Sequence, residues 1–414
     1  MNRRHFCAAS GLGLGALLAG RFFSGNVARA EEPKRRAEAC IVLWLNGGPS
    51  HLDTFDPKPG SKNAGKFRAI KTATEGLLFS EHLPKLASLS QKFSVVHSLT
   101  TREGSHERAR KLLHTGHTPN PTVAHPAFGS WVSARRGGKS PELPAFVSLG
   151  GPSADAGFLG RGYGPLVVRE PGKLPDDLAI LGGMSPERLG RRLSARQKLD
   201  AVFEAETKSH AVVERGDVFA AAARLVNSPS ASAFDISSEP QTSRDAYGDN
   251  EFGRGCLAAR RLIEKGVRFA EVTLDGWDTH ENNFERIQAL SGKLDAAMGA
   301  LLTDLSTRGL LDKTLVVCMG EFGRSPAINN RDGRDHHPEA FSMLIGGGGL
   351  RAGTVLGATD GDGAKVVTRP VRVADVFATL STQLGMDPHE TLMTPEGRPI
   401  AVTDGGQVIG ELLS

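Results

Sequence analysis

The sequence predicts an α/β fold: a doubly wound, mainly parallel sheet with helices on both faces, carrying a helical insertion. Two observations predict it. Short apolar runs bounded by Gly, Pro, Asn or Asp recur along the 414 residues, and several are continuous rather than alternating, as in central strands covered on both sides. Helix-period stretches separate these runs, and strands that alternate with helices build parallel sheets.

The first thirty residues stand outside that pattern. "MNRRHF" sets Arg3 and Arg4 ahead of the apolar, glycine-rich "CAASGLGLGALLAG", and "NVARA" closes with Ala28 and Ala30 in the small-x-small spacing of a signal-peptidase site. The apolar stretch is too short to span a bilayer. Residues 1–30 are therefore expected to be a twin-arginine export signal, and residues 31–414 a single domain working in the periplasm or outside the cell.

The expected strands are "CIVLWLNGG" (40–48), "FSVVHSLT" (93–100), "PAFVSLGG" (144–151), "VRFAEVTLDG" (267–276), "TLVVCMGEFG" (314–323) and "FSMLIGGGG" (341–349). Between them, "SHERARKLLHTG" (105–116) and "RVADVFATLSTQLG" (372–385) read as helices. The longest, "ENNFERIQALSGKLDAAMGALLTDLSTRG" (281–309), repeats apolar residues at three and four spacing and ends on a C-cap glycine, Gly309. Residues 151–248 are rich in Arg, Ala, Ser and Pro and read as a helical insertion or cap, in which only "NSPSASAFDISSEPQTS" leaves room for a disordered spacer.

The formal charge of +4 resides in Arg3, Arg4, Arg21 and Arg29, since no acidic residue precedes Glu31. Without the signal the chain is electrically balanced, which excludes nucleic acid as a partner, because that needs a clustered basic face. Cys40 and Cys318 sit inside apolar runs and read as small core residues rather than as a disulfide framework. No second long apolar run follows, so no membrane span is expected after signal cleavage.

In open α/β sheets, ligands bind beyond the carboxyl ends of the strands. The polar clusters fall there: Asn46, Ser50, His51, Asp53 and Asp56 after the first strand, Asp275, Asp278 and His280 after the fourth, then Glu321 and the Asp335, His336, His337 group. One carboxylate at a strand end reads as a cap or a solvated loop residue. Three clusters mixing carboxylates with imidazoles point to a divalent metal, zinc first, with manganese, iron or calcium as alternatives. The candidate ligands are Asp53, Asp275, Asp278, His280, Glu321, His336 and His337. Adjacent residues on an extended segment face opposite ways, so one of His336 and His337 is expected to bind. Glu321 follows a buried strand and needs either a metal or Arg324; Arg324 either clamps an anion bidentately or neutralises Glu321.

The pieces "LNGGPSHLDTFDPKPG", "WDTHENNF", "GEFGRSP", "GRDHHPEAF" and "GGGGLRAGTVLGATD" also carry a family resemblance. The chain resembles, over essentially all of residues 31–414, the family of domain of unknown function 1501, grouped with the alkaline phosphatase and sulfatase superfamily. The resemblance implies an alkaline-phosphatase-like fold. It matches Asp275 or Asp278 with His280 to an Asp and a His after a central strand, and His336 or His337 to a later His. It sets Glu321-Phe322-Gly323 at an Asp-His-Gly, and makes Asp375, Thr379 and Gly385 structural.

The departures are as informative. Asn46 stands where a metal-binding Asp is usual, and Phe322 where a ligand His is. At the position of the sulfatase Cys stand Ser105 and His106, which disfavours a formylglycine sulfatase. Seryl phosphoryl transfer through Ser105 at a helix start stays open, with His106 and Arg324 as catalytic partners. So does the reading of Ser105 as an N-cap with Arg108 and Arg110 simply solvated. The expectation is an exported, metal-dependent hydrolase acting on a small anionic phosphate or sulfate ester. Its rival is a catalytically degenerate relative acting as a binding or surface-associated protein.

Overall fold

The computed structural model describes residues 37–175, 185–207, 210–226 and 228–414. The expected export signal lies outside the described residues. Among the described residues, nine strands form one sheet. They are β1 (Ala39–Asn46), β2 (Phe93–Thr100), β3 (Phe146–Leu149), β4 (Leu166–Val168), β5 (Phe269–Asp275), β6 (Thr314–Gly320), β7 (Phe341–Gly347), β8 (Val355–Leu356) and β9 (Val371–Arg372).

Their order is β8-β2-β7-β6-β1-β5-β3-β4, with β9 beside β2. Strand β1 pairs in parallel with β5, Asn46 opposite Asp275, and with β6, Leu45 opposite Gly320. Only β7 runs against its neighbours β6 and β2. The carboxyl ends of β1, β2, β5 and β6 therefore share one edge, and β7 begins there.

Alternation along β1 makes the sheet two-faced. Ile41, Leu43 and Leu45 enter one apolar cluster, with Cys256 and Leu257 of α5 (Glu251–Glu264) and Ile287, Leu294 and Leu301 of α6 (Asn283–Thr307). Cys40, Val42 and Trp44 enter the other. There they meet Leu113 of α1 (His106–Thr115), Trp131 of α2 (Phe128–Arg136) and Phe377 of α7 (Val373–Gln383). Helices on both faces explain why these strands read as continuous apolar runs. Each such fully buried side chain contributes roughly 1.5–3 kcal/mol. Cys40, Cys256 and Cys318 are free thiols inside these cores.

Helix α1 starts after Ser105 and stops at Gly116, whose φ of 72° is left-handed; a Cβ there would meet the Phe377 ring at 2.9 Å. Residues 151–248 supply helices α3 (Pro186–Thr207) and α4 (His210–Val226), and also the edge strand β4, which three residues of "LVV" did not announce. From Ser228 onward the stretch that left room for a spacer is folded into short helical turns, because Ala233, Phe234 and Ile236 are buried and Arg261 bonds the Ala233 and Ser232 carbonyls. No helix among the described residues is long and apolar enough to cross a membrane.

Candidate metal centre

The site grows from the β5 exit. Asp278 lies three residues beyond the strand, and its Oδ1 accepts from Arg324 Nη2 at 2.5 Å. Arg324 is wholly buried, and its other donors hold the Gly48 carbonyl at 2.9 Å, the Arg334 carbonyl at 3.1 Å and the Gly47 carbonyl. It therefore pins the loop after β1 to Asp278 rather than facing solvent. Burial opposes ionisation of Asp278, yet the hydrogen bond and charge of Arg324 hold its carboxyl at about 2.

Three imidazoles converge on the same oxygen. Nε2 of His280 stands 3.2 Å from Asp278 Oδ1, and those of His106 and His336 stand 3.4 Å away. His106, Asp278 and His336 offer ligand atoms within 4.8 Å of one another. His336 reaches the site from a two-residue antiparallel ladder in which it faces Arg324 while His337 faces Gly323. Extended backbone sends the two rings apart, and His337 Nε2 donates to the Ala364 carbonyl at 2.6 Å.

The far nitrogens of His280 and His336 each have a hydrogen-bond acceptor, and that of His106 lies near a carboxylate. His280 Nδ1 meets Asp335 Oδ1 at 2.7 Å, His336 Nδ1 meets the Gly104 carbonyl at 2.8 Å, and His106 Nδ1 lies 3.5 Å from Glu321 Oε1. A carbonyl or carboxylate only accepts, so the outer bonds of His280 and His336 need their protons on Nδ1; a cation held between the rings and Asp278 would then meet Nε2 lone pairs. This is the arrangement by which outer partners orient metal-binding histidines. His106 Nε2 is buried and has no hydrogen-bond partner. Three imidazole nitrogens and a carboxylate are a donor set for zinc, iron or manganese rather than calcium. The residues fit a divalent metal.

The surroundings set the protonation. The Glu321 carboxylate raises the His106 pKa, outweighing burial. Burial, with the charges of Arg324, His106 and His280, lowers that of His336 although the Gly104 bond opposes it. The hydrogen bond from His280 lowers the Asp335 carboxyl.

Glu321 directly follows β6 and is fully buried. Its Oε2 accepts from the Gly47 amide at 2.8 Å, while Oε1 is buried without a hydrogen-bond partner and lies 3.8 Å from Arg110 Nη2. Arg110 also donates to Asn46 Oδ1 at 2.9 Å, and the Asn46 amide donates to Asp275 Oδ1 at 2.5 Å. Asp275 thus faces the end of β1. Both oxygens of Asp53 are taken by Arg334, at 2.7 and 3.1 Å, and Asn283 adds a bond at 2.9 Å. Ser105 is exposed at the α1 N-cap and makes no side-chain cap bond.

Residues 37–413 match a single family model, described as "Protein of unknown function". The chain belongs to the DUF1501 family. No curated protein matches it in sequence. Among solved structures, the DUF1501 chain is similar to a phosphonate monoester hydrolase of Agrobacterium radiobacter, at 12% identity over 91% of this chain and 77% of that one, with a TM-score of 0.41. A sulfatase from Pseudoalteromonas gives 12%, 85%, 68% and 0.40 in the same order. The lipoteichoic acid synthase LtaP from Listeria monocytogenes gives 9%, 91%, 75% and 0.38.

One contact at the site of this DUF1501 chain lay beyond sequence reasoning. Arg110 reads as one more solvated helix arginine, like Arg108, which pairs with Glu103 at 2.6 Å. Its place one turn after His106, on the side facing the β1 exit, was the available signal. Phe322 packs its ring against His106 and His336, with centroids 5.1 and 4.5 Å away, and so fills space where the family resemblance sets a ligand.

Proposed function

We propose that this DUF1501 chain is an exported, metal-dependent hydrolase of phosphate or sulfate esters. The observation that carries the reading is the convergence of His106, His280 and His336 Nε2 on Asp278 Oδ1, with each Nδ1 facing an acceptor. Those four residues would hold the ion, zinc first among the candidates. A bound divalent ion there polarises an ester oxygen and lowers the pKa of a coordinated water or hydroxyl.

The chain's own groups do the rest. Arg324 keeps Asp278 ionised and in place. Asp335, the Gly104 carbonyl and Glu321 fix the three rings. Arg110, whose side chain is 45% exposed, faces the anionic group of the substrate together with the first amides of α1. Ser105 presents an uncommitted hydroxyl at that helix start. Arg3 and Arg4 before an apolar stretch support export, by a route that accepts folded, metal-loaded chains.

The test is elemental analysis of the purified protein and of His280→Ala, followed by turnover of p-nitrophenyl phosphate and p-nitrophenyl sulfate. Near-stoichiometric metal that the variant loses, with turnover of one ester class, supports the reading. A wild type without metal, as stable as the variant, sinks it. A binding protein that keeps one metal is the second reading, favoured by Asn46 on Asp275 and Phe322 on His106. Bound metal with no turnover of either ester supports that one.

A further inference from the structure

A row of side chains runs from the metal centre to the β5 exit. Glu321 Oε1 lies 3.5 Å from His106 Nδ1 and 3.8 Å from Arg110 Nη2. Arg110 donates to Asn46 Oδ1 at 2.9 Å, and the Asn46 amide donates to Asp275 Oδ1 at 2.5 Å. Asn46 is neutral, so it spaces the guanidinium from the Asp275 carboxylate instead of letting the two pair. Asp275 is exposed, and Asn46 is the one hydrogen-bond partner of its carboxylate among the described residues. Arg110 is the cation of this row that reaches solvent, and it stands between two carboxylates, Glu321 below and Asp275 one amide away.

The charges joined to the centre by direct contacts do not cancel. Arg324 meets Asp278, Arg110 meets Glu321, and Arg286, bonded to the Asp278 and Gly276 carbonyls, offsets Asp335 on His280. Asp275 is left over, so four carboxylates face three guanidiniums. The neighbours Arg108, Lys111 and Arg331 are answered by Glu103, Glu107 and Glu281. A divalent ion would add two positive charges and leave the loaded centre with one, which a single negative charge neutralises. Stripping water from an anion costs in proportion to the square of its charge, whereas attraction to a positive site grows only in proportion to the charge. A guanidinium flanked by two carboxylates therefore favours a tetrahedral anion with one charge over the same shape with two. A phosphate monoester, whose second pKa is about 6, carries two charges above neutral pH; a sulfate monoester or a phosphate diester carries one. Resting on the proposed function, we propose that the centre takes singly charged esters, sulfate monoesters or phosphate diesters, and that Asp275 selects against phosphate monoester dianions.

The test is calorimetric titration of the protein as purified with benzenesulfonate and phenylphosphonate, which share a shape and differ by one charge at about pH 8.5. Ionic strength is held fixed, because exposed charges are screened. The wild type is expected to bind the sulfonate more tightly. Asp275→Asn should move the ratio of dissociation constants toward the phosphonate by about three- to tenfold, and Asp275→Glu should keep the wild-type ratio, with circular dichroism as the fold control. A wild type that binds the phosphonate as tightly as the sulfonate, one that binds neither, or a ratio indifferent to Asp275→Asn overturns the proposal. Turnover of p-nitrophenyl sulfate, bis(p-nitrophenyl) phosphate and p-nitrophenyl phosphate then separates the two ester sources. Faster hydrolysis of the phosphate monoester than of the other two overturns this selection and leaves the hydrolase standing. Selective sulfonate binding without turnover of any ester supports the selection and removes the hydrolase.

Discussion

The Nε2 atoms of His280 and His336 stand 3.0 Å apart, and both lie within 3.4 Å of Asp278 Oδ1. His336 Nδ1 faces a backbone carbonyl and His280 Nδ1 faces the Asp335 carboxylate, so a proton on each outer nitrogen satisfies both bonds and turns two Nε2 lone pairs toward each other. Two lone pairs at that distance repel unless a positive charge lies between them. A metal ion meets that need, and so does one shared proton.

The two alternatives separate on Asp335→Asn. If a metal is held, losing the outer carboxylate weakens orientation and basicity of His280 and should reduce metal affinity by about 10–100-fold. Competition against a chromophoric chelator reads this directly. An unchanged affinity, or no affinity in either protein, leaves only the shared proton.

Gly47 is the hinge of the site. Its φ is +117°, its amide donates to Glu321 and its carbonyl accepts from Arg324. A Cβ at this position would lie 2.3 Å from the Asp278 amide nitrogen. Gly47→Ala is therefore expected to lose most of the bound metal and to lower the melting temperature, although it changes no ligand. Full metal content in a folded Gly47→Ala protein would contradict this geometry.

Asp53 should act on stability instead. It and Arg334 are both fully buried, so removing the carboxylate strands a guanidinium in the interior. Asp53→Ala is expected to cost about 3–5 kcal/mol in urea unfolding. The fraction that remains folded should keep its metal; a metal-free folded fraction would make Asp53 part of the centre.

Arg110→Ala should do the opposite. Its side chain is 45% exposed, its one hydrogen bond goes to Asn46 and it lies 3.8 Å from Glu321, so the melting temperature and metal content should stay near wild type. Under the proposed function, KM for the anionic ester should rise about tenfold and inhibition by inorganic phosphate or sulfate should weaken. An unchanged KM would remove Arg110 from substrate binding.

The sequence made the scaffold legible because sheet burial writes itself into composition. Six apolar runs ended at turn residues, and each is a strand of the main sheet. Strand-end placement likewise brought Asp278, His280, Glu321 and the His336–His337 pair into view. What stayed illegible were choices made by distant backbone. Which of two adjacent histidines turns inward depends on the register of a two-residue ladder with Gly323 and Arg324. That Arg324 serves three carbonyls, and that Asp53 answers to Arg334, follows from contacts across more than 200 positions for Asp53 and for the Gly47 and Gly48 carbonyls. No local pattern encodes such pairings.

Beneath α1 lies a second imidazole–carboxylate pair, and its pH dependence can be worked out. His114 Nδ1 faces the Arg110 carbonyl at 2.8 Å and Nε2 faces Glu271 Oε1 at 3.2 Å, while Ser153 donates to Glu271 Oε2 at 3.0 Å. Both ring nitrogens thus face acceptors, which suits an imidazolium. Burial lowers the His114 pKa, but the Glu271 charge and hydrogen bond outweigh it and the net shift is upward from 6.5. A folded-state pKa above the unfolded one gives stability that is complete below about 6.5 and is lost as pH rises through the folded value. The urea midpoint of chelator-treated protein should therefore fall as the pH is raised from about 6.5 toward 9. His106 shifts in the same direction, so the comparison needs His106→Gln, which should retain most of the slope, and Glu271→Gln, which should flatten it. A slope that survives Glu271→Gln would place the titrating group elsewhere.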